Sequence, residues 1–595
     1  MIMYEKFEQW PGRNLVEQLR FMAERFPGRP AIVHNEQQMS YKEFDMQTDM
    51  LASAILQKGV SKGSVIASFF ELGPQQFVSL FGILKAGCAY VALDTSYPAE
   101  RLSYILNDSG TKMLLTNHKN IAQAKELGHD IDIINTDLPG IDVPAQKVDI
   151  QGSDLCSIIY TSGSTGTPKG TWFDHRALAH FAWRYSRICE ISEHDRVGYF
   201  VSVSFSAHAM PMLGALMNGA ALVLFNLRKD HLSTFRDWLL HEKISIALMI
   251  PSVLRNFSAT LMPEHQFPHL RMVLAGGESL YRADVDKLLP HLSNSATILH
   301  MLASTEAYIT CAFPIKKGDL LVSNNLPVGW DVSDMKTWVI DENGEPCEPG
   351  KTGEIWIESD FLSGGYWNDE NLNKEHFLPA GTNRSFPVFR SGDIGHKQAD
   401  GTLMLLGRKD NMIKLRGYRI DLREIESVLL DMPETREVAV LPKEDTQGSK
   451  HLIAYVVIRD GYPFDESRMK LAVLRMLPDY MVPAFVIRLP DLPKTYSGKI
   501  DFQHIPDPDW HVIEKQSNIL PPVTDTEIKL AEIIVRMLDV TPVGKNHSII
   551  QLARDSLKLF VALDEIEKAF GKKLNIDAIL AAPTIESIAR WIDEE

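Results

Sequence analysis

Tyr160-Thr161-Ser162-Gly163-Ser164-Thr165-Gly166-Thr167-Pro168-Lys169-Gly170 is the stretch that decides how this chain is read. Small hydroxyl side chains alternate with glycines ahead of a lysine. Directly before it runs Leu155-Cys156-Ser157-Ile158-Ile159, the composition of a buried strand. A glycine-rich turn after a strand lets backbone N–H groups approach an anion closely; the hydroxyls add donors and the lysine adds charge. Nucleotide phosphate is the guest that such a turn fits. No Gly-Lys-Ser/Thr closes the string, so it is not the usual P-loop. Taken alone, the same residues also suit a flexible surface loop.

The remaining sequence bounds the possibilities. A chain of 595 residues is too long for one ordinary domain and predicts several. Hydrophobic residues make up 45%, enough for real cores. A net charge of −16 argues against a general nucleic-acid or anionic-membrane binder, while leaving room for a local basic ATP site. Cys88, Cys156, Cys189, Cys311 and Cys347 show no CxxC or Cys/His spacing. They read as reduced thiols in a cytoplasmic protein, with neither a disulfide framework nor a zinc site. The N-terminus lacks the basic-then-apolar order of a signal peptide. The longest apolar run, around residues 213–225, is interrupted by Asn218 and is too short to span a bilayer.

Up to about residue 400, strand-like apolar runs alternate with amphipathic helical segments. Val65-Ile66-Ala67-Ser68-Phe69-Phe70 precedes a helix through Leu84, and Ala221-Leu222-Val223-Leu224-Phe225 precedes one around Asp237. This is α/β logic, mostly parallel strands covered by helices. Near Gly407-Arg408-Lys409-Asp410 a compact unit of its own begins, with strands at residues 437–441 and 452–457. Pro506, Pro508, Pro521 and Pro522 mark a linker. The last stretch reads as all-helical. Thr524 and Glu527 form a capping box before Ile528, Ala531, Ile534 and Leu538. A second helix follows Asp555-Ser556, and a third starts at Thr584 and ends at Trp591.

Several strings together resemble the adenylate-forming superfamily, in particular an adenylation domain of nonribosomal peptide synthetases fused to a carrier domain. The opening stretch looks like the superfamily's phosphate loop. Residues 84–94 and 97–102 are similar to its second signature, read here as structural packing. Thr305-Glu306 matches a threonine–glutamate pair whose carboxylate holds Mg²⁺ in the family; the usual Tyr-Gly-Pro before it reads Leu302-Ala303-Ser304 here. Ser391-Gly392-Asp393 resembles the motif whose aspartate accepts the ribose hydroxyls. Residues 407–426 match the hinge signature, which makes Asp410 the pivot and brings Arg408 to ribose or phosphate. Residues 493–501 resemble the terminal signature, with Lys499 as the catalytic lysine bridging the acid and the α-phosphate. Asp555-Ser556-Leu557 resembles a phosphopantetheine attachment site with Ala553-Arg554 in place of Gly-Gly.

The resemblance implies an α/β adenylate-forming core at residues 1–409 and a small α+β subdomain at 410–502. A linker at 503–522 and an all-α four-helix carrier at 523–595 follow. It implies catalytic roles for Lys499, Thr305 and Glu306, with Glu306 on the metal. ATP falls to Thr161, Ser162, Gly163, Ser164, Thr165, Gly166, Lys169, Asp393 and Arg408, and phosphopantetheine to Ser556. The cofactors implied are ATP, Mg²⁺ and 4′-phosphopantetheine; the partners are a phosphopantetheinyl transferase and a downstream condensation, reductase or tailoring enzyme.

The acid pocket aligns with Phe205, Ser206, Ala207, Met210, Leu248, Val273, Ala275, Met301, Ile309 and Thr310. Enzymes of the family that take α-amino acids place an aspartate after the phenylalanine, to pair with the substrate ammonium. Ser206 stands there in this chain, and a serine cannot neutralise a buried charge. The sequence therefore predicts an uncharged tail: an aryl, hydroxy, keto or aliphatic acid. His208, close by, reads as a satisfied core or surface histidine. The alternative readings are α-amino acid activation with an unusual amine site, an acyl-CoA synthetase, and a silent carrier or scaffold.

Overall fold

The structure is a computed structural model. It describes residues 14–127, 131–137, 147–161, 168–227, 232–381, 384–409, 412–415, 418–445, 450–494, 500, 502, 504–508, 510, 520–538, 543–549, 552, 556–572 and 584–594. Contacts divide the described residues into two units, one holding those up to Arg419 and the other those from Ile420 onward.

The first unit is built on two large sheets. In the seven-stranded sheet, Leu155–Thr161, Ala89–Leu93, Val65–Phe69, Met113–Thr116 and Asp132–Asn135 run parallel. In the nine-stranded sheet the parallel centre consists of Pro30–His34, Ala221–Leu224, Arg196–Tyr199, Ile246–Met249, Met272–Gly276 and Thr297–Ser304. These strands are short, nearly continuous apolar runs joined by helices, as parallel strands covered on both faces must be.

Both sheets end in antiparallel additions that carry the site. Lys169–Asp174 turns back on Leu155–Thr161, and Gly365–Tyr366 then pairs with it. Tyr308–Lys316 turns back on Thr297–Ser304. Beyond residue 330 the α/β expectation does not hold. Lys336–Ile340, Gly353–Glu358, Val388–Lys397, Phe377–Leu378 and Leu403–Arg408 form an antiparallel sheet. The links between consecutive strands there hold no helix long enough for a parallel crossover, so the strands pair as hairpins.

The second signature earns its packing role. Lys85 is buried, with Nζ 2.5 Å from Asp45 and 2.9 Å from Asp49, which ties two helices together. Helix Ala209–Leu216, the element carrying Met210, lies against helix His175–Ile188 at Gly214, where an added Cβ would overlap the ring of Tyr185.

The second unit contains a three-stranded sheet of Thr435–Glu444, Lys450–Ile458 and Phe485–Arg488, with helices Leu422–Leu430 and Glu466–Met476. The C-terminal stretch has a separate core around Leu530, Ile534, Leu563, Ile566, Ile588 and Ile592. Three of its four expected helices are described: Asp525–Leu538, Ser556–Phe570 and Ile585–Glu594. The capping box forms as read, Thr524 accepting from the Glu527 N–H and Glu527 from the Thr524 N–H. The last helix continues past Trp591, because Ile592 adds another turn to the buried face.

Gly214→Ala is expected to lower the stability of the larger unit by about 1–3 kcal/mol, the usual effect of overpacking. An earlier urea midpoint would register it; an unshifted midpoint would show that the Tyr185 ring has room to retreat.

Candidate functional site

The site is assembled at the tip of the hairpin formed by Thr297–Ser304 and Tyr308–Lys316, where Thr305, Glu306 and Ala307 make the turn. Glu306 is fully buried, and its Oε1 accepts a 2.7 Å hydrogen bond from the Tyr366 hydroxyl. Tyr366 is held in turn by Asn373, which accepts from its N–H at 2.6 Å and donates to its carbonyl at 2.8 Å. The Lys169 ammonium lies 4.2 Å from the centre of the Tyr366 ring, a cation–π contact. Lys169 pairs across the strands with Thr161, where the described part of the phosphate-loop hairpin ends. Ser162, Gly163, Ser164, Thr165 and Gly166 lie outside the described residues, as do Asp410 and Lys499.

Thr305 reaches the turn that carries Ser206. Its Oγ1 is 3.0 Å from the Ser206 Oγ. Ser206 opens a 3₁₀ turn, Ser206–His208, that leads into helix Ala209–Leu216, with Phe205 and Ala207 half-buried beside it. A chain of hydroxyls braces this turn from behind. Tyr97 bonds Ser204 at 2.8 Å, Ser204 bonds Ser202 at 2.9 Å, and Ser202 donates to Asp94 at 2.5 Å. Asp94 and Tyr97 belong to the second signature, so that motif supports the Ser206 turn as well as the core.

The residues aligned with an acid pocket do not all share one face. Leu248, Met301, Met210 and Ile309 pack into one core cluster, whereas Val273 and Ala275 pack into another on the opposite face of the sheet. Strand side chains alternate, so a displacement of one residue reverses the face. In this register Leu248 stands opposite Leu274, and Met301 opposite Gly276. Leu274 therefore shares the face and the core cluster of Leu248 and Met301, and Val273 and Ala275 face the other way. Gly276 is needed as glycine, because a Cβ there would lie 2.7 Å from the Met301 Cγ. Thr310 is buried next to Ile309.

Asp393 and Arg408 are brought together. They face each other across antiparallel strands, and Arg408 Nη1 donates to Asp393 Oδ1 at 2.6 Å. Arg408 also donates to the Ser391 carbonyl, and the Ser391 hydroxyl accepts from the Asp393 N–H. Ser556 begins helix Ser556–Phe570.

Arg184 carries no sequence signal, and His208 reads in sequence only as a satisfied core or surface histidine. Arg184 is 2% exposed and donates to the Ala307 carbonyl at 3.4 Å, behind the Thr305–Glu306 turn. Burial pushes its guanidinium down to about 10, opposed by the charge of Asp334. His208 is fully buried, and burial lowers its imidazole to about 3.

A single buried carboxylate with an adjacent hydroxyl suits magnesium, which takes one or two carboxylates and completes its shell with phosphate and water. Among the described residues no group of three or more His, Cys, Asp or Glu could hold a metal by itself. Nor is any helix among them long and apolar enough to cross a membrane.

The chain belongs to the AMP-binding enzyme family, whose profile matches residues 19–367, more than half its length. The AMP-binding enzyme C-terminal domain matches residues 424–499, and the phosphopantetheine attachment site matches 529–592. This is the organisation of a nonribosomal peptide synthetase adenylation domain joined to a carrier. Tyrocidine synthase 1 of Brevibacillus parabrevis is 30% identical over 587 residues, which are 98% of this chain and 53% of that protein. Gramicidin S synthase 2 of Brevibacillus brevis is 30% identical over 579 residues, 96% of this chain and 13% of that protein. The chain thus spans about half the length of the first relative and a small part of the second. The fold is similar to that of holo-PA1221, an NRPS protein containing adenylation and PCP domains, with a TM-score of 0.78. That match has 22% identity and covers 99% of this chain and 98% of the other.

The buried histidines predict acid sensitivity. The unfolded chain protonates His208 below about 6.5, whereas the fold resists its protonation until about 3. Stability present above 6.5 is therefore lost as pH falls, by about 1.4 kcal/mol per pH unit for this group. His175 and His300, each lowered to about 4 by burial, act in the same direction. His208→Gln should flatten the dependence of urea midpoints on pH between 7 and 5; an unchanged slope would show that His208 takes its proton within the fold.

Proposed function

We propose that this chain condenses ATP with a carboxylic acid to give an acyl adenylate and pyrophosphate, and then loads the acyl group onto its own carrier domain. The observation that carries this reading is the hairpin tip. Thr305 touches the acid-pocket serine, while Glu306 is bound to the tyrosine that lies under Lys169. Acid, metal and phosphate sites are thereby adjacent, and the gain comes from position and charge.

In this account Thr161, the loop 162–166 and Lys169 cradle the phosphates. Asp393 accepts from the ribose hydroxyls with Arg408 beside it, and Glu306 would hold the metal with Thr305 next to it. Mg²⁺, when bound, supplies positive charge to the phosphate oxygens. Lys499 neutralises the carboxylate and the α-phosphate as the carboxylate oxygen attacks phosphorus and pyrophosphate leaves. Phosphopantetheine on Ser556 supplies the thiol that takes the acyl group while AMP departs. Asp410 serves as the pivot of the subdomain between the two half-reactions. The boundaries 1–409, 410–502, 503–522 and 523–595 fit the three matched segments, each of which falls inside one of them. A phosphopantetheinyl transferase primes the carrier, and a downstream condensation, reductase or tailoring enzyme receives the acyl group.

The acid lacks an α-ammonium. Ser206 and its neighbours Ala207, Met210, Leu248 and Met301 offer no carboxylate. An unpaired buried ammonium costs several kcal/mol, about two to four decades in affinity.

Two variants test the reaction together. Lys499→Ala should cut acid-dependent pyrophosphate exchange by about two decades or more. Ser556→Ala should leave exchange intact and abolish the acyl mass gain on the protein. Near-wild-type exchange by the first, or a hydroxylamine-labile acyl-protein in the second, would refute the mechanism.

Ser206→Asp should lower exchange with the native acid and raise it with α-amino acids. Consistent preference of the wild-type chain for amino acids over their desamino and hydroxy counterparts would overturn the uncharged-acid reading, leaving the ligase reading in place.

A further inference from the structure

Helix His175–Ile188 carries three basic side chains at four-residue spacing, Arg176, His180 and Arg184, which places them on one face. That face holds both partners of the Glu306–Tyr366 bond. Toward one end Arg184 donates to the Ala307 carbonyl at 3.4 Å, and Phe181 stacks on the Tyr308 ring at 3.8 Å. Toward the other end Arg176 pairs with Asp360 and lies 4.6 Å from the centre of the Phe361 ring, while His180 stacks on that ring at 3.5 Å. The segment held in this way continues through Ser363, whose N–H donates to the Glu306 carbonyl at 2.8 Å, and reaches Tyr366 three residues later.

The hairpin tip braced by Arg184 is not relaxed. Its register shifts between Leu302 and Ala303, and Tyr308 keeps φ at +54°, a left-handed conformation unfavourable for a bulky residue. Such a conformation persists only where its surroundings over-determine it. A register shift of this kind re-aims neighbouring side chains, and Thr305, Glu306 and Ala307 lie directly beyond it. From within, the Ser304 hydroxyl accepts from the Ala307 N–H at 3.2 Å. From outside, Phe181 restrains Tyr308 and Arg184 restrains the carbonyl just before it.

Packing alone does not account for Arg184. The residue is buried, and its Nε and Nη1 have no hydrogen-bond partner among the described residues. Asp334, the opposing charge, keeps half of its side chain in solvent and also lies 3.4 Å from His180 Nε2. Burying a guanidinium on these terms is costly, and an apolar side chain of similar volume ordinarily serves a fold as well or better. What the charge reaches is the Ala307 carbonyl, which an ionised donor grips more firmly than a neutral one.

We propose that Arg184, aided by Phe181, is a positioning residue for magnesium: it holds the Ala307 carbonyl so that the Glu306 carboxylate, bound on its other side by Tyr366, stays aimed at the metal. The proposal rests on the adenylation reading for the presence of Mg²⁺ at Glu306. Arg184 touches neither metal nor nucleotide in this account, and its charge acts in the opposite sense to its bond. A nearby cation repels Mg²⁺, so loss of the charge alone would tighten magnesium binding, whereas loss of the brace loosens it. The direction of the change separates the two.

The test is calorimetric binding of ATP to the full chain across a range of magnesium concentrations, for wild type, Arg184→Met, Arg184→Lys and Phe181→Leu. The readout is the magnesium concentration that gives half of the full gain in ATP affinity. It is read on the folded fraction, so partial misfolding does not move it. Arg184→Met should raise it by about tenfold, the lower end of what loss of a group orienting a metal ligand costs. Affinity for ATP without magnesium should stay unchanged, which a general loosening of the site would not allow. Arg184→Lys keeps the charge and a donor and should recover most of the loss; Phe181→Leu should shift the value several-fold in the same direction. An unchanged or lowered value in Arg184→Met overturns the proposal, and so does Arg184→Lys behaving no better than Arg184→Met. If Arg184→Met does not fold, Phe181→Leu decides: a several-fold rise supports the proposal and an unmoved value overturns it. If ATP binds but no acid supports pyrophosphate exchange by the wild type, the adenylation reading is what fails, and the magnesium comparison still decides the role of Arg184. A wild type whose ATP affinity gains nothing from magnesium overturns the proposal outright.

Discussion

The hydrogen bond from Tyr366 to Glu306 is the constraint on which the site depends. Glu306 sits at a hairpin tip of the nine-stranded sheet, and Tyr366 on the edge of the seven-stranded sheet. A carboxylate buried without donors would be untenable, and this bond joins the two sheets at the point where chemistry is proposed. Neighbouring features follow from it. Asn373 fixes the Tyr366 backbone, Lys169 rests over its ring, and Arg184 holds the Ala307 carbonyl behind the turn.

The acid side is organised by hydroxyls and the nucleotide side by charge. Asp94, Ser202, Ser204 and Tyr97 form a continuous bonded chain that sets the turn carrying Ser206, and Ser206 meets Thr305. Asp393 and Arg408 form a closely spaced ion pair bridging adjacent strands. In the proposed function the first group receives an uncharged tail and the second a polyanion.

Much of this was legible in the sequence because it is local. The phosphate-loop string, the Thr305-Glu306 pair and the capping box of Thr524 and Glu527 each depend on neighbours a few residues apart. Apolar runs such as Ala221–Leu224 announced parallel strands for the same reason. What could not be read was three-dimensional. Which face Val273 and Ala275 present depends on strand register, and they lie in a different core from Leu248 and Met301. Tyr366 stands 60 positions from Glu306 in a segment without a motif, so nothing in either string announced their bond. His208 was read as a satisfied histidine; it is buried, but its Nδ1 has no partner among the described residues. The antiparallel sheet beyond residue 330 was missed because short strands without intervening helices carry little periodic signal.

The central claim is that one buried carboxylate, oriented by one phenol, organises metal and phosphate beside the acid. Magnesium titration of acid-dependent pyrophosphate exchange tests it most directly, comparing the wild-type chain with Tyr366→Phe and Glu306→Gln. The account predicts that Glu306→Gln nearly abolishes exchange at any magnesium concentration. Tyr366→Phe should require several-fold more magnesium for half-maximal rate, with much of the maximal rate recovered at saturation. Superimposable titration curves for all three proteins would contradict it.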